Sequence, residues 1–244
     1  MTIGETVAKR LELIGELSPE DRQALSTLGG DIRDLRRGDE ILVYGQRPKE
    51  SIVVISGCLH RYTISPQGPR QIHSFYLPTD TPCMETLHID KMDNTLGAIA
   101  PSRIGVIPHS EMFRVMEERP TILGLVWRDT LIQASIFREW LMRNSRMLAH
   151  SQMAHFFCEM MTRAIAAGIA RDFTCELPIT QEDLADALGM SPVYVNRTLM
   201  MLRTTHLVEF RGGVLTINDW PRLAEIADFD PAYLHLHPLP EGGA

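Results

Sequence analysis

The stretch ADALGMSPVYVNRTLMML, residues 185–202, leaves little choice of local fold. Just before it, Thr180 stands as a helix cap, with Asp183 three residues on in the arrangement of a capping box. Gly189 supplies the left-handed residue that ends a helix without steric strain. Ser191-Pro192 then opens the next helix as cap and first-turn proline. Small Ala185 marks where the two helices would cross, and Val195, Leu199 and Leu202 form the apolar stripe of the second. The spacing predicts a helix-turn-helix. With Val195 inward, helical geometry sends Val193, Arg197 and Met201 outward, with Tyr194 and Asn196 on the flanks.

Those outward residue types suit nucleic acid. An arginine such as Arg197 bonds bidentately to guanine, and an asparagine such as Asn196 pairs with adenine when turned towards the groove. Thr180, Gln181 and Ser191 lie at helix starts, where hydroxyls, amides and backbone N–H groups hold phosphates. The following LVEFRGGVLTI reads as two strands about Gly212-Gly213, a wing with Arg211 at its tip. The candidate DNA-binding set is therefore Thr180, Gln181, Ser191, Val193, Tyr194, Asn196, Arg197 and Arg211. Overall the chain is acidic, with 31 Asp and Glu against 24 Lys and Arg, which argues against indiscriminate nucleic-acid binding. Residues 190–213 reverse that sign, with Arg197, Arg203 and Arg211 against Glu209. Local charge decides docking.

Elsewhere the texture changes twice. Helical spacing over about 5–30 gives way near residue 31 to short strands with turns at Gly38-Asp39, Gly45 and Ser56-Gly57, the pattern of a small antiparallel roll. From about 120, TILGLVWRDTLIQASIFREWLMRNSRMLAH is a long helical pattern. Leu125, Ile132, Ile136 and Trp140 fall on one stripe, and Trp127, Ala134, Phe137, Leu141 and Leu148 on a neighbouring one. A helix apolar on more than one face packs on its own domain and on something else. The expected fold is α+β: an N-terminal antiparallel β-roll over 1–118, a long helix over 119–149, a winged helix-turn-helix over 150–222, and a tail over 223–244, of which DFDPAYLHLHPLPEGGA, 228–244, is expected to fray.

This order, with LRRGDEILVYGQRPKESIVVISGCLHRY at the front and ITQEDLADALGMSPVYVNRTLMMLRTTHLVEF at the back, resembles the Crp/Fnr superfamily of bacterial transcription regulators. The likeness covers roughly residues 10–220. It implies a cyclic-nucleotide-binding-like sensor roll and a homodimer paired through the long helix by Leu125, Ile132, Ile136 and Trp140. It also implies a near-palindromic double-stranded operator and RNA polymerase as a further partner. Members that bind cyclic nucleotides carry a Gly-Glu pair and a later Arg-Ser pair. Here Cys83-Met84 fall at the first, with Glu85 one place on, and no Arg-Ser occurs near residues 92–95. Without that arginine a buried cyclic phosphate lacks its counter-charge, so cyclic AMP is not the expected effector. The effector pocket is assigned to Cys83, Met84, Glu85 and His88, its ligand unknown.

Four cysteines, Cys58, Cys83, Cys158 and Cys175, are scattered without a C-x-x-C pair, and residues 1–57 contain none. Neither zinc nor an iron–sulfur cluster is expected. His60, His73, His88 and His109 fall in the predicted roll. Haem ligation by one of them is an alternative, as is a cupin-like metal-dependent enzyme built on His73, Glu85 and His88. A third alternative is an effector-independent regulator. With no apolar signal core and no membrane-length apolar run, the expected location is the cytoplasm.

Overall fold

The computed structural model describes residues 1–66 and 68–237. Two compact units emerge. The first takes in Met1–Thr63 and Ser74–Ala134; the second takes in Ile64–His73 and Ser135–His235.

The first unit begins with helices α1 (Ile3–Glu12) and α2 (Pro19–Ser26), each opened by a capping box, Thr2 with Glu5 and Ser18 with Asp21. Five strands follow: β1 (Asp31–Leu35), β2 (Glu40–Leu42), β3 (Glu50–Ser56), β4 (Leu59–Ile64) and β5 (Arg70–Tyr76), with Ile64 and Arg70–His73 counted in the second unit. A 3-10 turn (Met84–Leu87), β6 (Thr95–Ala98), β7 (Ser102–Pro108) and α3 (His109–Glu118) complete the roll. One sheet has the order β1-β7-β3, and the other β2-β6-β4-β5. Leu42, Ile52, Val54, Leu59, Tyr76, Met92, Leu96, Ile104 and Val106 form a shared apolar core. Its strands reverse at Gly57, where φ is +86° and a Cβ would stand 2.4 Å from the Pro101 carbonyl oxygen. Only glycine fits there.

Helix α4 (Pro120–Arg146) is anchored to the roll by a buried ion pair. Asp129 Oδ1 accepts from Arg10 Nε at 2.9 Å and from its terminal nitrogen at 2.6 Å. The other carboxylate oxygen accepts from Thr81 at 2.6 Å, and Arg10 also meets Asp80 at 3.3 Å.

The second unit is built on α5 (Ala149–Ala166). After it come the short strands β8 (Ala170–Arg171) and β9 (Thr174–Glu176), then α6 (Gln181–Leu188) and α7 (Pro192–Thr204). Next are β10 (Val208–Arg211), β11 (Val214–Ile217) and α8 (Trp220–Ala227). The wing is therefore part of a four-stranded sheet of order β10-β11-β9-β8 rather than an isolated hairpin.

The expectation of a fraying tail is corrected over 228–237, and the segment before it, expected as tail from 223, is helical. Helix α8 runs through the expected limit at 222, and Leu223, Ala227 and Leu234 are buried. Tyr233 Oη donates at 2.8 Å to Glu159, a wholly buried carboxylate that also accepts from Trp140 Nε1 at 2.8 Å and from Arg163 at 3.1 Å. Burial pushes the Glu159 carboxyl up, against the pull of these donors. Arg143 donates to the carbonyls of Ala227 and Asp228, closing the end of α8. The proline-rich end, 238–244, lies outside the described residues.

Candidate nucleic-acid interface

Local chemistry builds the reading head as its spacing implies. Thr180 Oγ1 accepts from the Asp183 backbone at 3.2 Å, and the Thr180 backbone donates to the Asp183 carboxylate at 2.8 Å. Gly189 closes α6 at φ +64°. Ser191 Oγ accepts from the Tyr194 backbone at 3.2 Å, a cap worth about 1 kcal/mol. Ala185, Leu188, Val195, Leu199 and Leu202 are buried between the helices. On the other side, Val193 is 80% exposed and Tyr194 50%, and Asn196 and Arg197 are also exposed. Met200 and Met201 extend that open surface. Asn196 Nδ2 donates to Gln181 Oε1 at 3.0 Å, joining the two helices through their exposed carboxamides. Among the described residues, no hydrogen bond or ion pair holds Arg197.

The wing turns at Gly212 and Gly213, both at positive φ, as a tight two-residue hairpin requires. Arg211 stands exposed beside the turn. Arg203 is different: it donates to the Phe210 carbonyl and so braces α7 against β10.

Helix α6 is held by groups that sequence reading did not single out. Arg70 donates to Asp183 at 2.8 Å and to Asp186 at 2.7 Å. Burial alone would raise the Asp183 carboxyl, but the bonds from Thr180 and Arg70 outweigh it and hold it below its ordinary range. At the other end of α6, the carbonyls that a helix terminus leaves without partners are met by three carboxamides. Gln71 reaches the Asp186 carbonyl at 2.7 Å, Asn144 that of Ala187 at 3.0 Å, and Gln152 that of Leu188 at 2.7 Å. Gln152 also donates to Asn144 at 2.6 Å. Nothing in the local pattern of residues 64–73 signals this role, because the partners lie more than a hundred residues away.

The residues assigned to the effector pocket gather around an arginine that the sequence reading did not name. Cys83 and Met84 are buried at the start of the 3-10 turn, with Cys83 at φ +75°. Arg61, itself buried, pairs with Glu85 at 2.5 Å, donates to Cys83 Sγ at 3.4 Å and lies over the Tyr76 ring. Burial pushes the Cys83 thiol up to about 12 despite the neighbouring guanidinium. His88 packs edge-on against Phe113 instead. All four cysteines are buried, and none is in a disulfide. Among the described residues, no three His, Cys, Asp or Glu side chains are grouped to hold a metal ion, and His73, Glu85 and His88 are not brought together.

The stripe assigned to dimer pairing lies inside the protomer. Leu125, Ile132, Ile136 and Trp140 are all buried. The exposed large apolar residues of α4 are Leu123, Trp127, Leu131, Leu141 and Met142, at 46, 62, 52, 73 and 39% exposure. Apolar periodicity marks both stripes equally, so it does not say which one the chain itself covers.

Residues 151–226 match the Crp-like helix-turn-helix domain family. Over 196 residues the chain is 23% identical to the fumarate and nitrate reduction regulatory protein of Vibrio cholerae, covering 80% of this chain and 78% of that one. The chain carries a Crp-like helix-turn-helix domain. It is also 27% identical over 175 residues to the nitrogen fixation regulation protein FixK of Bradyrhizobium diazoefficiens, covering 71% of this chain and 72% of FixK. Its fold matches the structure of FixK2 from Bradyrhizobium japonicum with a TM-score of 0.73, at 21% identity, over 82% of this chain and 98% of that one.

Proposed function

We propose that this protein is a DNA-binding transcription regulator of Crp/Fnr type that acts as a homodimer and reads a near-palindromic operator with α7. The observation that carries this is the division of α7: Val195, Leu199 and Leu202 turn inward, while Val193, Tyr194, Asn196 and Arg197 are open to a groove. Arg197 bonds guanine, and Val193 and Tyr194 pack on base edges. Thr180, Gln181 and Ser191 lie at helix starts suited to phosphates, and Arg211 meets the backbone from the wing. Two-fold pairing sets the half-sites about one helical turn, ~34 Å, apart.

Selection of bound DNA from a random pool tests the reading. Wild-type protein is expected to enrich a two-fold symmetric site. Arg197→Ala is expected to lose about 1–3 kcal/mol on that site and to relax preference at one position per half-site. If the variant selects the same site as wild type, Arg197 is not a base reader.

For pairing, the proposed face is the exposed one of Leu123, Trp127, Leu131 and Leu141, in place of the buried stripe. The roll is the sensing part, and its signal is other than cyclic AMP. Two points support this: by the resemblance, Cys83-Met84 fall where cyclic-nucleotide binders carry Gly-Glu, and the charge of Arg61 is already matched by Glu85. Isothermal titration is expected to show no heat of binding at micromolar cyclic AMP; a saturating isotherm there would overturn it. Acting on genes implies a cytoplasmic place of work, with RNA polymerase as a further partner. Among the described residues, no helix is long and apolar enough to cross a membrane.

A further inference from the structure

The bond between exposed Asn196 and half-exposed Gln181 lies at the surface and joins the amides of the two helices of the reading head. An exposed amide pair gains little for stability, because water serves each partner nearly as well. Its value lies in orientation. A carboxamide has one acceptor oxygen and two N–H donors on nitrogen, and the side chain swings freely unless something fixes it. Here Asn196 spends one N–H on Gln181 Oε1, at 3.0 Å. Oδ1 and one N–H remain, the acceptor–donor couple that matches N6 and N7 of adenine in the major groove. Gln181, as the first residue of α6, keeps its own Nε2 donors for a phosphate oxygen.

We infer that Gln181 is a positioning residue that aims Asn196 at an adenine, so that this pair of side chains specifies one base in each half-site. The inference rests on the proposed entry of α7 into the major groove. It makes base choice at that position depend on a residue of the preceding helix that itself reads no base. Arg197 is not part of the pair and reads a different position.

The test is site selection followed by binding titrations, with full-length wild type and the variants Asn196→Ala, Gln181→Ala and Gln181→Glu. Each titration uses the selected operator and one in which the adenine is exchanged for each other base. Wild type is expected to prefer adenine on the order of tenfold, and Asn196→Ala to bind all four bases within about twofold. Gln181→Ala is expected to lose most of the preference at that same position and none elsewhere. Gln181→Glu keeps an acceptor for Asn196, so it is expected to keep the preference while binding every sequence more weakly, its charge facing phosphate.

Three outcomes overturn the inference: Asn196→Ala leaving the adenine preference intact, Gln181→Ala acting at another position, or Gln181→Glu losing the preference as fully as alanine. A wild type that enriches no sequence would instead overturn the groove-reading proposal itself. Retained discrimination at the Arg197 position in each variant shows that the head is folded and docked.

Discussion

Replacing Asp129 by alanine is expected to lower the stability of the protein by about 3–5 kcal/mol. Only 1% of Asp129 is exposed, and its two oxygens take three hydrogen bonds, two from Arg10 and one from Thr81. A buried ion pair adds little over a well-packed apolar pair, since both charges lose their hydration. Removing one partner is a different matter. It strands the Arg10 guanidinium inside the roll with Asp80 as its remaining carboxylate, and leaves the Thr81 hydroxyl without its acceptor. Asp129→Asn, which keeps an oxygen for Thr81, is expected to lose less. Urea unfolding at one fixed protein concentration reads both, as a fall in midpoint with an unchanged slope. A loss below about 1 kcal/mol for Asp129→Ala would show that the pair contributes no more than a surface contact.

The second large effect is expected at Leu131. Its side chain is 52% exposed, next to Trp127 at 62% on the same open stripe of α4. Leu131→Glu places two carboxylates, one from each protomer, in the proposed apolar seam. Two like charges that must be desolvated together cost several kcal/mol, enough to weaken dimerisation on the order of a hundredfold. Sedimentation should then show monomer where wild type is dimeric. Operator affinity should fall because the half-sites are no longer bound as one unit. Since Leu131 faces away from its own core, the roll should still unfold cooperatively. A variant that stays dimeric would place the pairing face elsewhere.

Much of the reading head was legible in the sequence because the chemistry that shapes it is local. Thr180 and Asp183 are three residues apart, Ser191 caps the turn that follows it, and Gly189 ends the helix it belongs to. Each residue acts within one helical turn of its place in the chain. The strands around Gly57 were readable for the same reason. What was missed depends on partners far along the chain. Arg70 looks like a solvated turn charge until Asp183 and Asp186 are beside it. Tyr233 looks like part of a loose tail until its hydroxyl meets Glu159. Strands β8 and β9 are two and three residues long, too short to show any period. Arg61 stood unremarked in an alternating strand because nothing local shows that its partner Glu85 lies across the roll. The two stripes of α4 failed differently. The pattern marked both as apolar, and only packing separates the one the protomer fills from the one it leaves open.

The three carboxamides on the end of α6 bear on how solution conditions act on this protein. Gln71, Asn144 and Gln152 carry no charge and no titratable proton. Their grip on the carbonyls of Asp186, Ala187 and Leu188 therefore does not answer to ionic strength or to pH. Phosphate contacts answer steeply to added salt, because each one releases a counter-ion. A salt titration of operator binding consequently reports on the contacts with DNA, while this end of the reading helix pair stays clamped throughout.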